Sequence, residues 1–363
     1  MAATAGVFTP STLATIVRAS NDIFKNTPDL YAPKTEVLNE IVKMQTANVT
    51  PVTGSAINKV KVAWQDSSAI VAGSCAPACD LDGPETGTDG VEMTLNYCSH
   101  TSFKKEVIVG DNPYGLYQNG VIGYAQSVAQ DIMRAKQVIQ EDAALKMLAK
   151  LATFAGVNAD TTGQYGATVT GTNTTIPAAN WNEGLFPFLQ MEAQINRMVR
   201  PYILDGVQNG LYLRRLNAIP NALNDSQRDQ QAKFNLIEAV FDYFTFAAAG
   251  LVNTDFVVDG TAVAFAARNQ YAVGAVESPQ ADHTVFAIPG AISQGMDGQN
   301  VGTSLFNIDV EVQRKCETVT RAGRTVKRWF DVYDFTLPYF DLLHDPYRLG
   351  GSTNTGVLKV TKV

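Results

Sequence analysis

The chain has 363 residues, 45% of them hydrophobic and 17% charged, with a net charge of −7 at pH 7. That length suffices for about two to three domain-sized units, and the acidic balance excludes a general attraction to nucleic acid or to an anionic membrane, either of which favours a basic excess. Four cysteines, Cys75, Cys79, Cys98 and Cys316, are too few for a disulfide scaffold, so free thiols are the expectation and a bridge among Cys75, Cys79 and Cys98 the alternative.

Residues 1–50 read as an extended N-terminal arm with short helices. Ser11 can cap TLATIVRASNDIF, and Lys34 to Met44 repeats Val37, Leu38, Ile41 and Val42 at helical spacing. The opening MAATAGVFTPSTL has no basic n-region, and nowhere do about 18 apolar residues run together, so a soluble protein made in a cytoplasm is expected, with no membrane partner.

Over residues 51–111 the period changes to two. In AINKVKVAW, Ile57, Lys59 and Lys61 fall on one side and Val60, Val62 and Trp64 on the other, and Val91 to Val109 is again rich in β-formers. Between them GSCAPACDLDGPETGTDG is turn chemistry. The pattern predicts a long two-stranded β arm, which another subunit would naturally support because a lone hairpin is marginal in water.

Residues 112–180 hold the longest uninterrupted period, a helix predicted over 119–154. Val121, Ala125, Val128, Ile132, Ala135, Ile139, Ala143 and Leu148 share one face, while Asp131, Arg134, Lys136, Glu141, Asp142 and Lys146 lie on the other. Such a helix would reach ~50 Å and span a domain. Gly156 to Pro177, dense in Gly and Thr, reads as a loop or hairpin.

Residues 181–303 follow an α/β pattern. A helix from Asn180 or Asn182 to about Val199 ends at Pro201, Tyr202 to Leu204 is a strand, and Val207 to Leu216 is a helix. Ser226 can cap another, and FDYFTF fits helix or strand equally. Phe256 to Val258 reads as a strand and Ala262 to Arg268 as a short helix. Residues 304–345 are mostly β: Ser304 to Thr318 and Arg324 to Thr336 flank the hairpin signal Thr320-Arg321-Ala322-Gly323, and LPYFDLLHDPYRLGG follows as an apolar return segment. Residues 346–363 form a tail.

Motifs for chemistry are sparse. GxxxxGK followed by Ser or Thr, GxGxxG and HExxH are all absent, and His100, His283 and His344 are isolated in sequence. Neither catalysis nor a cofactor is expected. Cys75-Ala-Pro-Ala-Cys79 resembles half of a metal site but lacks a second pair. Asp80-Leu81-Asp82-Gly83 begins like a calcium loop, yet Pro84 and Val91 stand where ligands are needed; Asp80, Asp82, Glu85 and Asp89 read as a solvated acidic tip before a weak cation site. The basic cluster Arg314, Lys315, Arg321, Arg324, Lys327 and Arg328 could touch phosphate. Asp309, Glu311, Glu317 and Asp331 lie among these cations, so inter-subunit ion pairs or a solvated hairpin are the better reading.

The order of pieces resembles the major capsid protein of tailed double-stranded DNA phages, the Hong Kong 97 type. The matching stretches are residues 1–50, TPVTGSAINKVKVAW to CSHTSFKKEVIVGD, the helix of 119–154, roughly Asn180 to Gly302, and SLFNIDVEVQRKC to WFDVYDFTLPYFDLLHDP. The resemblance is one of layout, without a short diagnostic motif. It implies an α+β fold with an N-terminal arm, an extended β arm (51–111), a peripheral domain with a spine helix (112–180), an α/β axial domain (181–303) and a β return (304–345). It also implies a structural protein of the virion, assembled in the host cytoplasm, whose pentamers and hexamers close into an icosahedral shell. That shell would enclose double-stranded DNA without sequence specificity, alongside separate scaffolding, portal or decoration proteins. No charged helical leader precedes the arm, so any scaffold is expected to be a separate chain. The alternatives are an encapsulin-type compartment and a soluble enzyme with an unrecognised site.

Overall fold

The computed structural model describes residues 36–52, 58–64, 90–107, 124–156, 164–182, 184–206, 238–270, 277–280, 283–289, 292–294, 300–304, 306–321, 323–349 and 354–363. Several expectations lie outside these residues: the arm before residue 36, the tip with Cys75, Cys79 and the acidic residues 80–89, the start of the long helix at 119–123, and the helices expected at 207–216 and after Ser226. The described chain is mixed α+β and rich in strands. It divides into two compact units, Met1–Lys34, Asn96–Ala143 and Ala267–Phe340 in one, Thr35–Leu95, Ala144–Ala266 and Asp341–Val363 in the other.

The helices are α1 (Val37–Met44), α2 (Tyr124–Phe154), α3 (Leu185–Ile195), α4 (Tyr243–Ala248) and α5 (Pro346–Leu349). The strands begin with β1 (Asn48–Pro51), β2 (Lys59–Ala63), β3 (Val91–Thr94), β4 (Tyr97–Val107), β5 (Thr168–Thr170), β6 (Asn173–Ile176), β7 (Pro201–Asp205), β8 (Glu238–Phe241) and β9 (Thr254–Asp259). They continue with β10 (Val263–Arg268), β11 (Glu277–Gln280), β12 (His283–Pro289), β13 (Ile292–Gln294), β14 (Asn300–Ser304), β15 (Asn307–Arg321), β16 (Arg324–His344) and β17 (Val357–Lys362).

In the first unit the strands run β4-β16-β15-β12-β11, each antiparallel to its neighbour. Alternation sorts the side chains. Ile308, Val310 and Val312 of β15 are buried, as are Tyr333 and Phe335 opposite them on β16, and Phe103 of β4 stacks on Tyr333 at 4.8 Å between ring centroids. The same face is covered by α2, whose Val128, Ala129, Ile132, Met133, Ala135, Ile139 and Ala143 are buried. Two polar contacts fix its direction: Lys105 Nζ donates to Ser127 Oγ at 2.9 Å, and Ser99 Oγ donates to Asp142 Oδ2 at 2.6 Å. From Ser127 to Asp142 the helix rises ~22 Å at 1.5 Å per residue, while from Ser99 to Lys105 the strand covers ~20 Å. Helix and strand therefore run side by side in opposite directions.

The second unit holds a mixed sheet in the order β5-β6-β17-β9-β7-β8, parallel at β6/β17 and β7/β8 and antiparallel elsewhere. One face carries Ile203, Val257, Leu358 and Val360 against Leu185, Phe188, Leu189 and Ala193 of α3 and the ring of Trp181. The opposite parity, Tyr202, Leu204, Phe256 and Val258, is buried as well, with Phe246 of α4 at 6.0 Å from Phe256. Burial on both faces explains why PYILD and TDFVVD lack alternation. A small antiparallel sheet β1-β2-β3 completes the unit. There Val60 and Val62 point inward, as the period-two pattern predicts, and Gly90 (φ 61°) passes so close to Val62 O that an added Cβ would sit 3.0 Å from it.

Four expectations are corrected. Ala262 to Arg268 is strand β10, not a helix: Val263 to Ala266 are buried on both sides, which erases the alternation a strand usually shows. The helix expected from Asn180 or Asn182 to Val199 is shorter. Ala178–Asn180 is a 3-10 turn, Asn182 Oδ1 accepts from Gly184 N at 2.9 Å, and Arg197 at φ 50° has left the helical region. The Val91 to Val109 half of the two-stranded arm splits: β3 pairs with β2, but β4 pairs with β16, and the third strand beside β2 is β1. Finally LPYFDLLH is no separate segment; it continues β16 to His344.

Candidate functional site

The basic cluster of the sequence lies on the outer end of the β15/β16 hairpin. β12 flanks β15 only as far as Gln313, paired with His283, and β4 flanks β16 only as far as Trp329, paired with Val107. Past those points residues 315–328 pair with one another alone among the described residues, from Glu317 opposite Arg328 to Arg321 opposite Arg324. Gly323 makes the turn at φ 74°, the left-handed conformation glycine adopts without a Cβ clash. Alternation places Lys315, Glu317, Val319, Arg324, Val326 and Arg328 on one face, and Thr318, Thr320, Thr325, Lys327 and Trp329 on the other with Cys316. Val326 and Trp329, on opposite faces of the ribbon, are 36% and 42% exposed, high for apolar side chains.

Some of the cluster is neutralised within the unit. Arg314 grips Asp331 with two parallel bonds of 2.7 and 3.0 Å, Lys104 Nζ meets Glu317 at 2.7 Å, and Arg328 lies 3.5 Å from Glu106. The forked Arg314 pair is the strongest of these, being bidentate and half-buried. Lys315, Arg324 and Lys327 have no carboxylate partner among the described residues. Among the described residues the arrangement is a two-stranded, mostly cationic ribbon.

Buried ionisable groups elsewhere hold the second unit together. Asp259, fully buried, accepts from Val199 N and Arg200 N at 3.2 Å and from Thr261 N at 3.0 Å, and its carboxylate faces Arg348 at 3.1 Å. Asp242 caps two helices at once: Thr245 N and Oγ1 of α4 donate to it at 3.0 and 2.7 Å, and Glu36 N and Val37 N at the start of α1 donate at 2.8 and 3.3 Å. Burial, then the nearby Asp242 charge, raises the Glu36 carboxyl. Asp205 and Asp255 stand directly opposite on β7 and β9, both fully buried. Burial, the Asp205 charge and a hydrogen bond between the two push the Asp255 carboxyl well above the ordinary carboxylate range.

The histidines and cysteines scatter. His100 of β4 pairs with half-buried Asp334 of β16. His283 opens β12. His344 is buried with both ring nitrogens facing carbonyl oxygens, Asp345 O at 2.9 Å and Thr355 O at 2.7 Å; burial lowers its pKa and those two carbonyls oppose the shift. Cys98 and Cys316 are exposed and form no disulfide among the described residues. On α2, burial lowers Lys136 to about 8. No group of three or more His, Cys, Asp or Glu among the described residues could hold a metal ion, and no described helix is long and apolar enough to cross a membrane. The structural carboxylates Asp205, Asp242, Asp255 and Asp259 were not singled out by sequence. Asp242-x-x-Thr245 ahead of a short apolar run is a cap signature that locates one of them.

No family model matches the chain, and no curated protein matches it. Among solved structures it is similar to a chain of the "Satellite phage P4 procapsid including size determination (Sid) protein", with a TM-score of 0.38 and 11% identity, covering 94% of this chain and 100% of that one.

Proposed function

We propose that the chain is a shell-forming major capsid protein of the Hong Kong 97 type. One observation carries the reading: the order and length of the pieces. A small β sheet in which residues 64–90 separate β2 from β3 in sequence is followed by a 31-residue helix, then a mixed-sheet unit, then strands of 15 and 21 residues that rejoin the unit of the first half of the helix. In such a shell, pentamers and hexamers close through repeated weak contacts that multiply by symmetry. Double-stranded DNA is held inside without sequence readout, and scaffolding, portal or decoration proteins act as separate partners.

Negative-stain microscopy of the purified full chain tests this. Closed shells of uniform diameter are expected, and shells recovered from infected cells are expected to hold nuclease-protected DNA. A chain that stays monomeric at every concentration overturns the reading, and shells filled with protein cargo in place of DNA point to an encapsulin-type compartment.

A further inference from the structure

We infer that the loop of residues 195–200, with Tyr347 beside it, docks an acidic, partly apolar segment of a separate protein chain; the inference goes beyond the shell reading and stands without it. Backbone geometry carries it. Helix α3 ends in a Schellman turn, in which Arg197 N donates to Gln194 O at 3.0 Å and Met198 N donates to Ala193 O at 2.9 Å. Arg197 itself stands at φ 50°, the left-handed position of that turn, where glycine is the usual residue and a side chain is strained. Among the described residues neither the Arg197 nor the Arg200 guanidinium has a partner, so no contact within the unit accounts for an arginine at the strained position. Strain of this kind clusters at binding sites.

Three further observations agree. The loop is fixed at its backbone: Val199 N and Arg200 N donate to buried Asp259 at 3.2 Å, Asn196 Nδ2 donates to Glu192 O at 2.9 Å, and Asn354 Nδ2 donates to Asn196 O. The same Asp259 holds Arg348, next to Tyr347, at 3.1 Å, so one carboxylate draws both stretches together. On this frame Ile195, Val199 and Tyr347 are 39%, 65% and 56% exposed, and Arg197 and Arg200 are exposed between and beside them. Arginine and tyrosine around exposed aliphatic side chains are the composition of an interface core, and a backbone fixed beforehand lowers the ordering cost of binding. Charge selects the partner, because two guanidiniums fit carboxylates through paired, charge-assisted bonds. Two copies of the loop facing each other would set like charges together, and a nucleic-acid track needs a longer row of cations than two arginines parted by Met198 and Val199.

The test uses the full chain and a labelled peptide of about twelve residues in which glutamate pairs alternate with leucine pairs, read by fluorescence anisotropy. The wild type is expected to bind it, and Arg197→Gly and Arg200→Gln are each expected to weaken binding about tenfold. Arg197→Gly separates binding from folding: glycine adopts φ 50° freely, so this variant is expected to unfold at the wild-type temperature or above it. A lower unfolding temperature would make the Arg197 side chain structural and overturn the inference. Raising salt from about 0.1 to 1 M is expected to weaken the complex as the Debye length shrinks. The same peptide with glutamine for glutamate is expected not to bind, and equal binding would overturn the acidic partner. Binding is expected to survive Lys315→Gln, Arg324→Gln and Lys327→Gln together; loss there, with none in the loop variants, moves the site to the β15/β16 ribbon and overturns it. A DNA oligonucleotide that displaces the peptide at lower concentration assigns the loop to phosphate, which also sinks the protein partner. If Arg197→Gly instead abolishes self-association of the wild type in sedimentation velocity, and the peptide binds neither chain, the occupant is a second copy and the separate partner falls. Closed shells from a loop variant that no longer binds the peptide leave both this docking and the shell reading standing.

Discussion

The two sheets solve the same problem in opposite ways. In the first unit, α2 covers one face of β4-β16-β15 and the other face stays with polar side chains, Lys104, Gln313 and Lys315 among them, so apolar and polar residues alternate. In the second unit the central strands β7 and β9 are buried on both faces, and the chain is tied at its turns by carboxylates taken out of water. The first sheet depends on area removed from water; the second depends also on a few charges whose partners must all be present. A substitution that is mild on one sheet is therefore severe on the other.

The largest contrast is expected from Val310→Asp. Val310 is fully buried on the α2 side of β15, and an unpaired carboxylate there costs about 3–5 kcal/mol, a large share of a domain's stability. Gln313→Ala, at a half-exposed position with the opposite direction, is expected to change stability by no more than about 0.5 kcal/mol. Urea denaturation of the two variants decides the matter, and equal midpoints would show that the alternation does not set the buried face.

In the second unit the counterpart is Asp259→Ala. It removes the acceptor of three backbone N–H groups and the partner of half-buried Arg348, so a loss of about 3 kcal/mol is expected. Arg348 keeps its bond to Thr261 Oγ1 at 2.7 Å, which holds the cost below that of a fully stranded charge. Adding Arg348→Ala to Asp259→Ala is expected to cost less than the two single losses combined; strict additivity in chemical denaturation would break the account of Asp259 as an anchor. Next in size, Asp242→Ala removes the cap of both α1 and α4, for about 2 kcal/mol. Asp242→Asn keeps an acceptor oxygen and is expected to recover about half of that. A loss no greater than that of one ordinary cap would show that the α1 end does not rely on it.

The same contrast governs what could be read in advance. Where one face is wet, periodicity is a direct image of burial: Val128, Ile132, Ala135, Ile139, Ala143 and Leu148 of α2, and Ile308, Val310 and Val312 of β15, lie inside as their spacing predicts. Where both faces are dry the image is lost, and the Ala-rich run of β10 looks helical because alanine favours helix and nothing in the pattern opposes it. The pairing of β4 with β16 joins residues more than two hundred positions apart, beyond anything local turn chemistry encodes. The basic ribbon was legible because its charges sit close together in sequence beside a clear turn. Asp205 and Asp255 were not, because a buried carboxylate is recognised only from the strand opposite.

That acid pair gives the smallest effect at low pH and the most specific signature. Asp255 is raised above its unfolded pKa, near 3.9, so between that value and its folded pKa the native state holds a proton that the unfolded chain has released. Stability from this group is full below about pH 4 and falls by up to about 1.4 kcal/mol for each pH unit above it, until the folded pKa is passed. Asp255→Asn keeps a hydrogen-bond donor for Asp205 and removes the proton, so its stability should be flatter across that window. Glu36 and Tyr202, whose pKa values are also raised, contribute equally to both chains and cancel in the difference. Measured by urea denaturation at pH 5, 7 and 9, the Asn variant should gain steadily on the wild type as pH rises. Parallel curves would mean that the two carboxyls hold no extra proton, and that the dry face around β7 and β9 admits enough water to ionise both.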